Sequence, residues 1–313
     1  MMQVCAVVVT YNRSEWLIEC LETLRNQTRA LDAIVVINNA STDDTRSVLD
    51  QYVMMHSDMR WHIMHSQENT GGAGGFAQGM QLAHESGYDW IWVMDDDVRV
   101  RENALADLLR FSDRADVLHG RRTNPDGSPF YWQSTFIPWI GFSRPYPDSA
   151  FQRSDIWYTN VACFEGALIH RRVFDQIGYA DPRYFLAWDD TEFGYRASEF
   201  FKIAYCNAYT LIRQRGHDNI DVGVRSLYHA SDMYRYFHIR NRFLLIHTLL
   251  KREKRAWARA MLPITYHAFT GVLFLKEMVR AALFKEKNLG VPSLWHGLKD
   301  GIHGRFGAMP PRC

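Results

Sequence analysis

"YDWIWVMDDDVRV", residues 88–100, decides how this chain folds. Trp90, Ile91, Trp92, Val93 and Met94 follow one another with no in/out alternation, the habit of a strand covered on both faces in a parallel sheet. Asp95, Asp96 and Asp97 then stand at its carboxyl end. Open α/β sheets bind their ligands at that edge, and three crowded carboxylates repel one another unless something positive joins them. A solvated turn is the plainer explanation, but a turn seldom follows so apolar a run. Hard divalent cations prefer oxygen donors, commonly one or two carboxylates plus substrate phosphates. The cluster therefore reads as a metal-bridged diphosphate site. Asp95 and Asp97, at alternate positions, would reach one ligand while Asp96 points elsewhere.

The segments upstream repeat one βα unit. "VCAVVV" is an apolar strand, and "SEWLIECLETLRNQ" after it puts Trp16, Leu17, Cys20, Leu21 and Leu24 on one helical face with Ser14 as the expected N-cap. "AIVVINN" and "STDDTRSVLDQY" form a second strand and a second helix capped by Ser41 or Thr42. "RWHIMHS" and "GFAQGMQLAHES" form a third pair before the strand at 90–94. Repetition of this kind predicts an α/β protein with a doubly wound, mainly parallel sheet. From about residue 120 the pattern loosens into Pro-, Gly- and aromatic-rich loops or a hairpin that would shape a pocket. "ACFEGALIHRRVFDQIG" adds a short strand and helix. After residue 227 the chain reads as helical, broken near Pro263. The expected organisation is a main domain over 1–227, with halves at about 1–120 and 121–227, and a C-terminal helical appendage over 228–313.

The chain as a whole sets further bounds. A net charge of +1 over 313 residues gives no global field for nucleic acid. Cys5, Cys20, Cys163, Cys206 and Cys313 are odd in number and scattered, which points to neither a disulfide framework nor a zinc site and favours a reducing, cytoplasmic compartment. The N-terminal apolar run lacks a basic n-region and reads as a strand rather than a signal peptide. No stretch is long and charge-free enough to span a bilayer. "KREKRAWAR", followed by Leu262, Ile264, Phe269, Val272, Leu273 and Phe274, is either a helix packed on the main domain or a peripheral contact with anionic headgroups at the inner face of the cytoplasmic membrane.

Other polar groups gather where strands end. "TYNR", Thr10 to Arg13, follows the first strand and "NNASTDD", Asn38 to Asp44, the second; each alone is turn chemistry. In "NTGGAGGFAQG", Gly71, Gly72, Gly74 and Gly75 would let backbone amides approach an anion beside a helix N-terminus. Gly72, Gly74 and Ala77 also fit the dinucleotide fingerprint, which makes a nicotinamide-dependent oxidoreductase the alternative of another class. That fingerprint normally follows the first strand, however. "AWDDTEF" holds a second acid group, Asp189, Asp190 and Glu192 after Trp188, which is either a dipole-favoured helix start or a catalytic base. Among the 13 histidines, His217 is the best-placed ligand, with His229 behind it.

Together "VVVTYNR", "NNASTDDT", "NTGGAGGF", "WVMDDDV", "AWDDTEFGYR" and "YFHIRN" resemble, in order, the motifs of family-two glycosyltransferases of the GT-A fold. The tail "GLKDGIHGRFG" is similar to the ending of several bacterial members, and the nearest branch is that of galactofuranosyl- and rhamnosyltransferases of bacterial surface glycans. The resemblance implies an inverting enzyme using a nucleotide-diphosphate sugar, with the donor handled by the first half of the main domain and the acceptor by the second. Thr10, Tyr11, Arg13 and Asn39 would hold the nucleotide, with Gly71, Gly72 and Gly74 near the sugar diphosphate. Asp95 and Asp97 would bind Mn²⁺ or Mg²⁺ with His217 as third ligand, Asp95 and Asp96 also counting among the donor contacts. Asp190 matches the catalytic base, while Trp188, Asp189 and Glu165 would line the sugar or acceptor pocket. Where many members carry an acid that reads uracil, this chain has Asn38 and Asn39, amides that still suit a pyrimidine. The implied donor is UDP-galactofuranose or, second, dTDP-rhamnose, and the acceptor a glycan or lipid-linked saccharide.

Overall fold

The computed structural model describes residues 2–130, 133–146, 148–214, 219–221, 226–228, 231–283 and 291–308. Its first half alternates as the sequence predicts: β1 (Val4–Thr10), α1 (Ser14–Arg25), β2 (Ala33–Asn38), α2 (Thr45–Met55), β3 (Trp61–His65), α3 (Gly71–Glu85) and β4 (Trp90–Asp95). β3, β2, β1 and β4 lie side by side, all parallel. The apolar strands have a physical reason in the two layers they serve. Val4, Ala6 and Val8, with Trp90, Trp92 and Met94, enter one core, whereas Cys5, Val7 and Val9, with Ile91 and Val93, enter the other. Both faces are covered, so neither set of alternate positions is polar.

The second half is mixed. After β5 (Val98–Val100), α4 (Ala104–Leu109), β6 (Val117–Thr123) and β7 (Pro129–Phe130) come a hairpin of β8 (Ser134–Ile137) and β9 (Phe142–Pro145), then β10 (Ile156–Thr159), β11 (Ala167–His170) and α5 (Arg171–Ile177). β11 wedges antiparallel between β4 and β6. α6 (Asp189–Ala197) precedes β12 (Ile203–Arg213), which runs parallel to β6 and pairs antiparallel with β5 and β10. β13 (Asn219–Asp221) and β14 (Ser226–Tyr228) form a small ribbon before α7 (Asp232–Arg252), α8 (Ala256–Leu283) and α9 (Val291–Ile302).

Four local expectations are corrected. Ser14 is the first residue of α1 rather than its cap, and its hydroxyl donates to Asp44 at 2.8 Å. Ser41 and Thr42 do not cap α2, which starts at Thr45; they brace Asn12, whose left-handed φ of 53° needs support. α3 begins at Gly71, so the glycine-rich stretch is helix and not loop. Pro263 lies inside α8, and the break comes instead at residues 253–255, where Glu253 accepts from Arg255. Pro263 has no amide to offer the Arg259 carbonyl four residues back, yet α8 continues through it. The C-terminal helices share a core with the rest: Leu244, Leu245 and Tyr266 pack with Ala73, Phe136 and Tyr184.

Candidate active site

The register places Thr10 opposite Asn38, and Val9 opposite Asp95, so the first polar side chains of three strands emerge along one edge. The three aspartates diverge from there. Asp96 is buried, accepting from the Thr10 hydroxyl at 2.6 Å and from Arg13 Nη1 at 2.9 Å. Asp97 meets the same Arg13 nitrogen at 3.2 Å. Asp95 turns into a cavity of about 350 Å³. Burial raises its proton affinity well above the usual carboxylate range, and Asp97, Glu165 and Asp96 add to the effect more than Arg13 relieves it. Three carboxylates thus share one guanidinium, and Asp95 and Asp97 offer hard oxygen donors whose anionic form a cation would favour. Those residues fit a divalent cation.

Beside this edge, the turn before α3 is built on Asn39. Its Nδ2 donates to Asn69 Oδ1 and to the Gly71 carbonyl, and its Oδ1 accepts from the Thr70 amide. Gly71 has φ +73°, and a Cβ there would lie 2.1 Å from the Phe185 carbonyl oxygen. Gly74 likewise abuts Thr70, whereas Gly72 opens onto the cavity. The structure therefore gives Asn39, Gly71 and Gly74 packing tasks and leaves Gly72 facing the site. Tyr11 is exposed at the end of β1. Because Gly72, Gly74 and Ala77 lie within a helix after β3, the dinucleotide alternative loses the strand-to-turn setting its fingerprint requires.

The second acid group arrives by a strained route. Phe185, Ala187 and Trp188 all have positive φ, 60°, 66° and 70°, although none is glycine. Such conformations cost of order 1–3 kcal/mol each and persist only where the surroundings dictate them. α7 supplies those surroundings. Asn241 Nδ2 lies 2.8, 2.8 and 2.9 Å from the carbonyls of Tyr184, Leu186 and Ala187. Arg240, fully buried, donates to the Arg183 and Tyr184 carbonyls at 2.8 and 3.0 Å and to Asn241 Oδ1 at 2.8 Å. The Trp188 indole donates to the His238 carbonyl at 3.0 Å and stacks on its ring, while Phe185 stacks on Phe237. α7 is itself held by α9, where Asp300 accepts from the Tyr236 hydroxyl at 2.7 Å and Gly297 lets the Tyr236 carbonyl approach. The "YFHIRN" and "GLKDGIHGRFG" motifs are thus successive supports of the loop that starts α6.

At that start Asp189 and Asp190 both line the cavity. Burial raises the proton affinity of each. For Asp189 the charge of Asp190 adds to it. For Asp190 it is countered by the Thr191 amide at 2.6 Å and the Thr191 hydroxyl at 3.1 Å, with Arg122 and Cys163 also favouring the anion. Asp190 is accordingly the member of the pair better kept ionised, and Asp189 the better kept protonated. Glu192 does not join them; it accepts from Arg196 at 2.8 Å and Thr248 at 3.2 Å, fixing α6 to α7.

One cavity therefore collects Gly72, Asp95, Glu165, Trp188, Asp189 and Asp190 of the expected residues. Thr10, Arg13, Asp96 and Asp97 form the adjoining network at the ends of β1 and β4. His217 and His229 lie outside the described residues, and among those described no cluster of three metal-binding side chains occurs. Several cavity residues escaped sequence reasoning. Ser134 and Ser143 come from the hairpin, and Tyr234 and His238 from α7. Burial pushes His238 down to about 3, so its ring is neutral. Arg122 is buried against Glu165 at 3.1 Å. The signal for His238 was its place in "YFHIRN"; Tyr234 lies one helical turn before it on α7.

A family model, Glycosyl transferase family 2, matches residues 5–178. Galactofuranosyltransferase GlfT1 of Mycolicibacterium smegmatis is 29% identical over 195 residues, 60% of this chain and 63% of the relative, so the match spans less than two thirds of that protein. Among solved structures, S. aureus TarS 1-349 in complex with UDP-GlcNAc superposes with a TM-score of 0.60 at 16% identity, covering 96% of this chain and 81% of that 1-349 chain. Mannosyltransferase PcManGT from Pyrobaculum calidifontis, in complex with GDP-Man and Mn²⁺, gives a TM-score of 0.56 at 14% identity, covering 97% of this chain and 88% of the other. These likenesses show that the sheet and its C-terminal helices form a GT-A type fold.

Proposed function

The chain belongs to glycosyl transferase family 2, and from that premise we propose that it is a metal-dependent, inverting hexosyltransferase. It transfers galactofuranose from UDP-galactofuranose, or in the alternative reading rhamnose from dTDP-rhamnose, to a glycan or lipid-linked acceptor in bacterial surface polysaccharide synthesis. The observation that carries the reading is the single cavity lined by both Asp95 and Asp190. It brings an anion-rich strand end and a positioned carboxylate within reach of one sugar. The similarity to a galactofuranosyltransferase supports the donor, and the nucleotide sugars and Mn²⁺ in the names of the structural neighbours support the cofactor.

The chain's own residues divide the reaction. Thr10 and Arg13 hold Asp96 in place beneath the donor, and Asp95 and Asp97 would hold Mn²⁺ or Mg²⁺. Bound there, the cation supplies positive charge to the leaving diphosphate. Asp190 accepts the proton of the acceptor hydroxyl as that oxygen attacks the anomeric carbon from the face opposite the diphosphate, which inverts the centre. Trp188 and neutral His238 offer a stacked aromatic wall to sugar rings. Incubation with UDP-galactofuranose, dTDP-rhamnose and other nucleotide sugars, with and without Mn²⁺, tests the assignment through nucleotide release. Metal-dependent release from one of the first two is expected. No release from any donor, or a response to NADH instead, would overturn it.

A further inference from the structure

α8 is apolar on both sides. Its inner face, Ala258, Leu262, Tyr266 and Phe274, is buried. Its outer face repeats Trp257, Met261, Ile264, Val272, Leu275 and Val279 at helical spacing, and each is 46–63% exposed against the described residues. Single exposed apolar side chains are ordinary, but a continuous stripe along a helix of 28 residues, roughly 42 Å long at 1.5 Å per residue, marks a contact surface. Of the six residues in that region expected to touch lipid, only Ile264 and Val272 belong to the exposed stripe; Leu262 and Phe274 are core, and Phe269 and Leu273 are half-buried.

From this stripe we infer that α8 docks on an anionic lipid surface, lying in the interface rather than crossing it. Three observations favour that occupant. No described helix is long and apolar enough to span a membrane. Exposed Lys254, just before α8, and Lys276, beside Leu275, flank the stripe, and the one acid within α8, Glu277, is half-buried, so the rim complements anionic headgroups. Trp257 at one end of the stripe and Trp295 of α9, against Phe274, are exposed indoles of the kind that seat at headgroup depth. A second copy packed through the same face would set basic rim against basic rim. The surface also bears on the site. Thr265 of α8 donates to the Trp139 carbonyl at 2.7 Å, Trp139 stacks on Trp257, and the hairpin that Trp139 connects contributes Ser134 and Ser143 to the cavity. Docking would hold the cavity wall beside the bilayer, where a lipid-linked acceptor resides.

The test is flotation of the full chain with vesicles of phosphatidylcholine containing about a quarter phosphatidylglycerol, against phosphatidylcholine alone, at low and high salt. The protein should float with the anionic vesicles at low salt and be released at high salt. Ile264→Glu combined with Leu275→Glu should abolish flotation while leaving UDP binding and the thermal midpoint unchanged. Lys254→Glu combined with Lys276→Glu should weaken it by about 5-fold per basic residue removed. Absence of flotation at low salt, flotation unaffected by the apolar substitutions, or a dimer in light scattering that those substitutions dissolve, would each overturn the inference. Vesicle binding is read without any transfer reaction, so either result leaves the transferase reading to its own assay.

Discussion

The acids at 95–97 end a strand, and the acids at 189–190 begin a helix; both groups crowd negative charge, yet they are stabilised in opposite ways. At the first, the backbone is regular and the charge is the difficulty. Arg13 bridges Asp96 and Asp97, Thr10 donates to Asp96, and Asp95 turns into the cavity. At the second, the charge is moderated locally by Thr191, and the backbone is the difficulty, with three residues of positive φ held by Asn241 and Arg240 from α7. A site for a cation tolerates some freedom because the ion gathers its ligands, whereas a proton acceptor must sit within about 2.6–3.2 Å of its target. The costly conformation is found where position matters most.

The contrast breaks first at Asp190. Asp190→Asn keeps the loop and its shape but removes the proposed proton acceptor, so turnover should fall by about 10²- to 10⁴-fold, the range of general-base contributions. Steady-state rates at saturating donor and acceptor measure it. If the α7 clamp is what aims that carboxylate, Asn241→Ala should lower turnover by up to about 10²-fold, as misplacement of a reacting group does, with nucleotide affinity nearly unchanged. A merely structural Asn241 would lower both in proportion to the folded fraction. The last effect, on stability, sharpens the difference within the acid pair. Burial raises the Asp189 proton affinity, so the folded state binds that proton more tightly than the unfolded chain does. The stability it confers is full below the ordinary carboxylate value of about 4 and is lost as pH rises through the raised value. With the raised value at about 8, Asp189→Asn, which does not titrate, should therefore gain on the wild type by roughly 3 kcal/mol between pH 5 and pH 8. Urea unfolding at the two pH values reads the difference, and an equal offset at both would contradict it.

The same contrast explains what the sequence disclosed. The strand-end cluster was legible because a buried strand and its carboxyl edge are local patterns, and "WIWVMDDD" carries both. The order of βα units, and with it the parallel half of the sheet, followed from the same periodicity. The wedge of β11 between β4 and β6 was not legible, since its four residues could pair in either direction. Helix starts were missed where side chains that look like caps serve a neighbouring turn, as Ser41 and Thr42 serve Asn12. Asp190 was found through the motif it belongs to, but nothing in "YFLAWDD" announces left-handed backbone at Phe185, Ala187 and Trp188, because the cause lies more than fifty residues away in Asn241. That Gly71 also packs its backbone against the Phe185 carbonyl, which excludes a Cβ there, is visible only in three dimensions.

The central claim is that the two acid groups do separate jobs in one cavity, and parallel assays of Asp97→Asn and Asp190→Asn test it most directly. Calorimetric affinity for UDP with Mn²⁺ and turnover with the identified donor are measured for both. Loss of a metal ligand should weaken Mn²⁺-dependent UDP binding by more than about 10²-fold, beyond the 10–100-fold that loss of an outer partner costs, whereas Asp190→Asn should bind as the wild type does and turn over hardly at all. Wild-type turnover in Asp190→Asn, or equal loss of affinity in both variants, would contradict the account.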